Sequence, residues 1–203
     1  MSTQDHWERV YLSTSPTQVS WYQPQPRMSL ELIRALVDRT ARIIDIGGGA
    51  SLLVDRLLAE GFKHVAVLDI ARAPLEMARN RLGPLAQRVN WVQADITASP
   101  QLDPYDLWHD RAVFHFLTDP EDRRKYIETA RRTVVPGGHL IIATFAPDGP
   151  PRCSGLDVQR WDAPRLAQEF GQPFELVKDA AETHITPRNA PQKFIYACFR
   201  KVA

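Results

Sequence analysis

The chain has 203 residues, 44% of them hydrophobic and 24% charged, which suits one sizeable core in a globular protein. A net charge of +1 gives no electrostatic reason to expect a nucleic acid or a membrane surface as partner. No apolar run approaches the roughly 18 residues that span a bilayer, and the opening MSTQDHWERV lacks the pattern of a signal peptide. The two cysteines, Cys153 and Cys198, form no CxxC pair, so a reducing, cytoplasmic setting without a structural zinc site is expected.

Along the chain, the first 26 residues are rich in Trp, Tyr, Gln, Pro and Ser, and the two prolines of SWYQPQP stop any helix there. Leu32, Ile33, Leu36 and Val37 recur at helical spacing in LELIRALVDR, with Ser29 placed to cap that helix. RIIDI then reads as a strand, and SLLVDRLLAEG as a helix that Gly61 ends. HVAVLDI is a strand, PLEMARNRLG a helix with Pro74 in its first turn and Gly83 after it. RVNWVQADI and YDLWHD are strands. DPEDRRKYIETARRTV is a helix with Asp119 at the N-cap and Pro120 at the first position, stopped by PGG. Its pairs Arg123/Arg124 and Arg131/Arg132 read as a solvated face. HLIIATF is a strand, DAPRLAQEF a short helix capped by Asp162, and FELVKDAAETHIT and QKFIYACFR two closing strands. Strands alternating with ten-residue helices predict an α/β, doubly wound, mainly parallel sheet with helices on both faces. The last two strands, with no helix between them, are expected to pair antiparallel. One domain, residues 1–203, is expected: an N-terminal lid over 1–39, a core over 40–146, and a loop, helix and hairpin over 147–203.

The glycine run Gly47, Gly48, Gly49 follows the first strand of this alternation and opens a helix. Such a turn lets the backbone bend sharply and approach a ligand, and the helix start offers free N–H groups; a tight turn with no ligand has the same local pattern. The dinucleotide fingerprint GxGxxG is incomplete, because Leu52 occupies its third glycine position. Asp45, two residues before Gly47, is poorly suited to a pyrophosphate and well suited to a cationic group such as an amino acid's ammonium. Asp69 ends the next strand, 20 residues beyond Gly49, where a carboxylate can accept from ribose hydroxyls. Asp95, ending the third strand, can accept from an adenine amino group. Three strand ends thus deliver acids to the edge of the sheet at which α/β ligands bind.

The ordered motifs IIDIGGGAS, VLDI, QADI, YDLWHDRAVFHF and VVPGGHLIIATF resemble those of class I S-adenosylmethionine-dependent methyltransferases, over residues 40 to 146 and on into the closing strands. The resemblance implies a seven-stranded doubly wound sheet with an antiparallel C-terminal strand, and S-adenosyl-L-methionine as cofactor. It implies that Gly47, Gly48 and Gly49 face the cofactor, that Asp69 holds its ribose and Asp95 its adenine, and that Ile70 and Ile96 flank the adenine ring. Asp45 would orient the methionine end. Ser51 departs from the family's GxGxG turn.

Methyl transfer from an activated sulfonium mainly requires alignment and desolvation of the nucleophile, with a general base only if the acceptor carries a proton. Asp110 and His115 are the catalytic candidates, Asp110 also a cofactor contact; alternatively Asp110 and Arg111 form an ion pair and His115 packs beneath the helix. A metal on His109 and His115 would lack a third ligand at a recognisable spacing. The long loop from Ala146 to Trp161 is expected at the ligand edge, with Cys153 in the acceptor pocket or a small buried thiol. Trp7, Tyr11, Trp21 and Tyr22 either close over a sulfonium or amine, Trp21 contacting the cofactor, or pack the N-terminal segment on the sheet. His184 and Thr186 are expected at a surface turn. The expected acceptor is a small molecule or a protein side chain, the expected assembly a monomer or homodimer. Rival readings are a spermidine-synthase-like aminopropyl transferase, disfavoured by Ala50 after the glycines, an NAD-dependent oxidoreductase, and a non-catalytic S-adenosylmethionine binder.

Overall fold

The central strand β1 (Arg42–Ile46) is buried at every residue after the first, as an apolar run in the middle of a parallel sheet must be. Around it, a computed structural model describing residues 2–202 arranges a seven-stranded sheet in the order β3-β2-β1-β4-β5-β9-β8. The strands are β2 (His64–Asp69), β3 (Val89–Gln93), β4 (Tyr105–Arg111), β5 (Val134–Phe145), β8 (Phe174–Ile185) and β9 (Pro191–Lys201). Strands β1 to β5 pair in parallel, and β9 enters antiparallel between β5 and β8. The two-residue strands β6 (Arg152–Cys153) and β7 (Leu156–Asp157) form a separate ribbon in the loop after β5.

Period-2 alternation sends the two faces of each strand into two cores. Ile43, Val65, Val67, Leu107 and Ile141 pack with Ile33 of α2 (Arg27–Leu36), Leu57 of α3 (Leu53–Ala59) and Leu75 of α4 (Arg72–Leu82). Ile44, Ala66, Leu68, Trp108 and Ile142 pack on the other face with Tyr126 and Ile127 of α5 (Pro120–Thr133) and Phe170 of α6 (Ala163–Phe170). Each buried Val, Leu, Ile or Phe among them contributes about 1.5–3 kcal/mol. Among the described residues no helix is long and apolar enough to cross a membrane.

Several expectations need correction. A helix that the composition of the first 26 residues hid, α1 (Thr3–Ser13), opens the chain on a capping box in which the Ser2 and Asp5 side chains each bond the other's backbone N–H. Ser29 does not cap α2. The helix starts earlier, at Arg27 after Pro26, and Ser29 is buried within it. Asp95 lies two residues past the end of β3 and caps a 3-10 turn instead of ending the strand. PGG does not separate α5 from the next strand: β5 begins directly at Val134, and the Pro136–Gly138 stretch falls where its register against β4 shifts. The arginine pair on α5 divides. Arg124 faces solvent, whereas Arg123 turns inward to Glu169 of α6 at 2.6 Å and to the carbonyls of Leu117 and Thr118. His184 and Thr186 are buried, and the Ser20 carbonyl accepts from His184 Nε2 at 2.8 Å, tying β8 to the N-terminal segment.

Candidate active site

The carboxyl ends of β1, β2 and β4, together with the segment following β3, open onto two adjoining cavities. The larger, of about 430 Å³, runs from Asp95, Ile96 and Ile70 past Asp69 and Gly47 to Trp21, Arg111 and Cys153. The smaller, of about 50 Å³, lies beneath the N-terminal segment against Asp45, Gly47, Gly48, His109 and Ser29. Tyr11, Trp21, Gly47 and Arg111 line both and mark the junction.

The glycine turn shapes that junction. Gly47 has φ +65°, and a Cβ there would run into the Val113 side chain. Gly48 has no such backbone constraint, but a Cβ would lie 2.5 Å from Asp45 Oδ2 and 2.8 Å from Val67 Cγ1. The turn is pinned to β2 through Gly47 N–H and Gly48 N–H, which both donate to the Leu68 carbonyl, at 2.7 and 3.2 Å. Ser51 fits the helix start, its Oγ accepting from Leu53 N–H at 3.1 Å. Arg81 of α4 holds the turn from outside by donating to the carbonyls of Ala50 and Ser51 while pairing with Asp55 at 2.7 Å.

The three acids differ. Asp69 is 6% exposed; its Oδ1 accepts from Ala71 N–H at 2.9 Å, and its Oδ2 lies 2.6 Å from where a Cβ on Gly49 would be. Burial, and then the nearby Asp45 and Glu8 carboxylates, push its pKa up to about 7 against the pull of the Ala71 bond. Asp95 commits Oδ1 to Thr97, accepting from its N–H at 2.8 Å and its Oγ1 at 2.7 Å. Asp45 is buried and bonded to His109 Nδ1 at 2.7 Å, and His109 Nε2 is 2.9 Å from Ser29 Oγ. With Nδ1–H donating to the carboxylate, Nε2 accepts from the serine.

The structure does not bring Asp110 or His115 to either cavity wall. Asp110 is fully buried and accepts from Val113 N–H, Phe114 N–H and the Tyr126 hydroxyl, the last at 2.5 Å. Its carboxylate knots the turn after β4 to α5. It is not paired with Arg111. His115 is also fully buried, packed against Phe116 and Phe145, with Nδ1 accepting from Phe145 N–H at 3.4 Å. Burial, with Arg111 nearby, lowers its pKa to about 3, which keeps the ring neutral and a feeble base. His109 is committed to Asp45 and Ser29, which removes it as a metal ligand in this arrangement.

The N-terminal segment roofs the cavities. Trp21 Nε1 donates to Tyr11 Oη at 3.2 Å, and Trp7 packs edge-on against Trp21 and Phe116. Glu8 of α1 reaches across to accept from Arg72 N–H and Ala73 N–H, at 2.5 and 2.9 Å, capping α4, whose own N-cap Ala71 supplies no side chain for the task. Burial raises the Tyr11 hydroxyl well above its ordinary pKa, and lifts the Cys153 thiol to about 11, so Cys153 is protonated and unreactive near neutrality. Sequence reasoning missed Glu8 and Arg81, and named Arg111 only as an ion-pair partner for Asp110. Only α1 itself left a local signal, the capping box at Ser2 and Asp5.

A methyltransferase-domain family model matches residues 43–138. A solved S-adenosylmethionine-dependent methyltransferase from Anabaena variabilis superposes with a TM-score of 0.77 at 16% identity, over 99% of this chain and 96% of that one. Residues 43–138 are therefore similar to a methyltransferase domain, and the fold is the one seen in solved S-adenosylmethionine-dependent methyltransferases. Among methyltransferases with sequence similarity, an EEF1A lysine methyltransferase 2 from Danio rerio is 26% identical over 150 residues, 70% of this chain and 58% of the relative. A ubiquinone biosynthesis O-methyltransferase from Vibrio cholerae is 28% identical over 106 residues, 51% of this chain and 42% of the relative. The chain therefore spans about half the length of the curated relatives it matches.

Proposed function

We propose that this methyltransferase moves a methyl group from S-adenosyl-L-methionine to a small-molecule or protein side-chain acceptor, within a single domain formed by residues 1–203. One observation carries the reading: a continuous cavity passes from Asp95 and Ile96 over Asp69 to the glycine turn, and a second cavity beneath the turn holds Asp45. The residues fit the cofactor. Ile70 and Ile96 supply apolar walls for an adenine ring, Asp95 an acceptor for its amino group, Asp69 a carboxylate for the ribose hydroxyls, and Asp45 an anion for the ammonium. A Cβ on Gly47 would run into Val113, one on Gly48 into Asp45 and Val67, and one on Gly49 into Asp69.

Bound there, the cofactor supplies a methyl group already activated on a sulfonium. The chain's own work is alignment and exclusion of water. Trp7, Trp21 and Phe116 roof the site, and Trp21, Cys153 and Leu156 line the same cavity, beside which we place the acceptor. Asp110 and His115 act by holding the turn after β4, not by touching reactants. The apparatus is consistent with an acceptor that arrives with a free lone pair, since neither residue is placed to take its proton.

Calorimetric titration with S-adenosylhomocysteine tests this, with NAD as comparator and Asp69→Ala as control. Micromolar binding that the variant loses is expected. Binding of NAD instead, or of neither compound, overturns the reading.

A further inference from the structure

A third cavity, of about 240 Å³, adjoins the other two, and Trp21 lines all three. Val10 and Thr14 at the end of α1, residues 18–21, Ser154 of the β6–β7 ribbon and residues 186–188 between β8 and β9 form its walls. Hydrogen bonds pin those walls. His184 Nε2 donates to the Ser20 carbonyl at 2.8 Å. Thr186 N–H donates to the Ala190 carbonyl at 2.9 Å, and Thr186 Oγ1 accepts from Ala190 N–H at 3.0 Å. Ser154 and Gly155, at φ +50° and +80°, make the two-residue turn that closes the ribbon. Cys153 thus lines the large cavity while Ser154, the next residue, lines the third.

The large and third cavities differ in charge. Asp69, Asp95, Asp122 and Asp157 line the large one against a single cation, Arg111. Among the described residues no carboxylate lines the third, and Arg188 is its one charged side chain. Arg188 is exposed and makes no ion pair or side-chain hydrogen bond with any described residue, so nothing in the chain offsets its charge. Val10, Val19, Trp21 and Pro187 give the cavity an apolar wall, and Thr14, Gln18 and Ser154 add hydroxyl and amide groups. An organic anion with an apolar body matches this lining. Its body packs against Trp21 and Val19, and its carboxylate meets the guanidinium, whose planar fork suits that shape. The carboxylates of the large cavity oppose the reverse orientation.

We infer that the third cavity holds the end of the acceptor remote from the methylated atom, and that this end carries a carboxylate received by Arg188. This rests on the cofactor reading above and narrows its acceptor to an organic acid whose carboxylate stays unmethylated. The acceptor reaches past Trp21, the wall that the cavities share, with its nucleophile toward the large cavity. Transfer forms a bond from the nucleophile's lone pair to the methyl carbon and breaks the methyl–sulfur bond, whose electron pair stays on sulfur. Any proton on the nucleophile leaves to solvent.

The test is calorimetric titration of the full chain, saturated with S-adenosylhomocysteine, with phenylacetate and with phenylacetamide, which has the same shape and no charge. Wild type is expected to bind phenylacetate about five- to tenfold more tightly than the amide, the range of one charge-assisted hydrogen bond at a partly exposed site. Arg188→Glu is expected to abolish that preference. Gln18→Trp, at an exposed position in the cavity wall, fills the space and should weaken both probes by at least about tenfold. Both variants should keep S-adenosylhomocysteine affinity within about threefold of wild type, since neither residue lines the other two cavities. Equal wild-type affinity for the two probes, or no saturable phenylacetate binding below about 10 mM, overturns the inference and leaves the cofactor reading standing. So does a preference that survives Arg188→Glu, which would put the anion at Arg111 instead. A wild type that fails to bind S-adenosylhomocysteine removes the cofactor reading, and this inference with it.

Discussion

Asp69 and Asp110 lie at the carboxyl ends of β2 and β4, both are buried, and both have carboxyl pKa values raised by that burial, to about 7 and about 6. Position and titration make them look like equivalent candidates. Hydrogen-bond accounting separates them. Asp110 spends its oxygens on two backbone N–H groups and a tyrosine hydroxyl, all within 16 residues of itself in the chain. Asp69 gives Oδ1 to Ala71 N–H, while Oδ2 points beside the glycine turn and the residue lines the large cavity. A perturbed carboxyl marks a binding group only when its lone pairs are not already used by the fold.

The contrast can be broken by exchanging the two roles. Asp110→Ala leaves two amides and the Tyr126 hydroxyl without their acceptor, and should lower stability by on the order of 4 kcal/mol. Urea unfolding measures that loss. At concentrations where the variant is folded, its S-adenosylhomocysteine affinity should stay within about threefold of wild type, and a selective collapse of binding would mean that Asp110 touches the ligand after all.

Asp69→Asn should do the reverse. A folded-state pKa near 7, against about 3.9 unfolded, means the folded chain binds this proton more tightly. The stability this provides is complete below about pH 4 and is lost as pH rises through 7. The asparagine has no proton to lose, so relative to wild type the variant should gain on the order of 4 kcal/mol between pH 4 and pH 8. Thermal melts across that range read the gain. Binding should weaken in the variant, and wild-type affinity should fall as pH drops below 7, because hydroxyl donors favour the ionised carboxylate.

Gly49→Ala probes the same oxygen from the other side. At φ +38°, with its Cβ 2.6 Å from Asp69 Oδ2, the alanine should cost about 1–2 kcal/mol and weaken S-adenosylhomocysteine by displacing that carboxylate. A calorimetric titration in which affinity is unchanged would detach the glycine turn from Asp69. The smallest effect is expected from Glu8→Ala. It uncaps α4 and loosens α1, for about 1 kcal/mol, and hydrogen exchange should show faster protection loss at Arg72 and Ala73 than at the amides held by Asp110.

The amino-acid sequence by itself determined the alternation of strands and helices, the two-faced sheet, the glycine turn and the acids at its edge. These are short-range properties: hydrophobic period, caps and turn residues act within one element. Where it failed locally, the cause was equally local. The proline-rich composition of the first 26 residues hid α1, and Ser29 looked like a cap because its later partner could not be seen. Tertiary structure alone decided which buried groups remain open to a ligand. Asp45 meets His109 across 64 residues, Arg72 meets Glu8 across 64, and Arg111 meets Tyr196 and Trp21 across 85 and 90. A side chain's lone pairs and N–H groups are allotted by whatever the fold brings alongside, and no spacing rule within a strand or helix encodes that allotment.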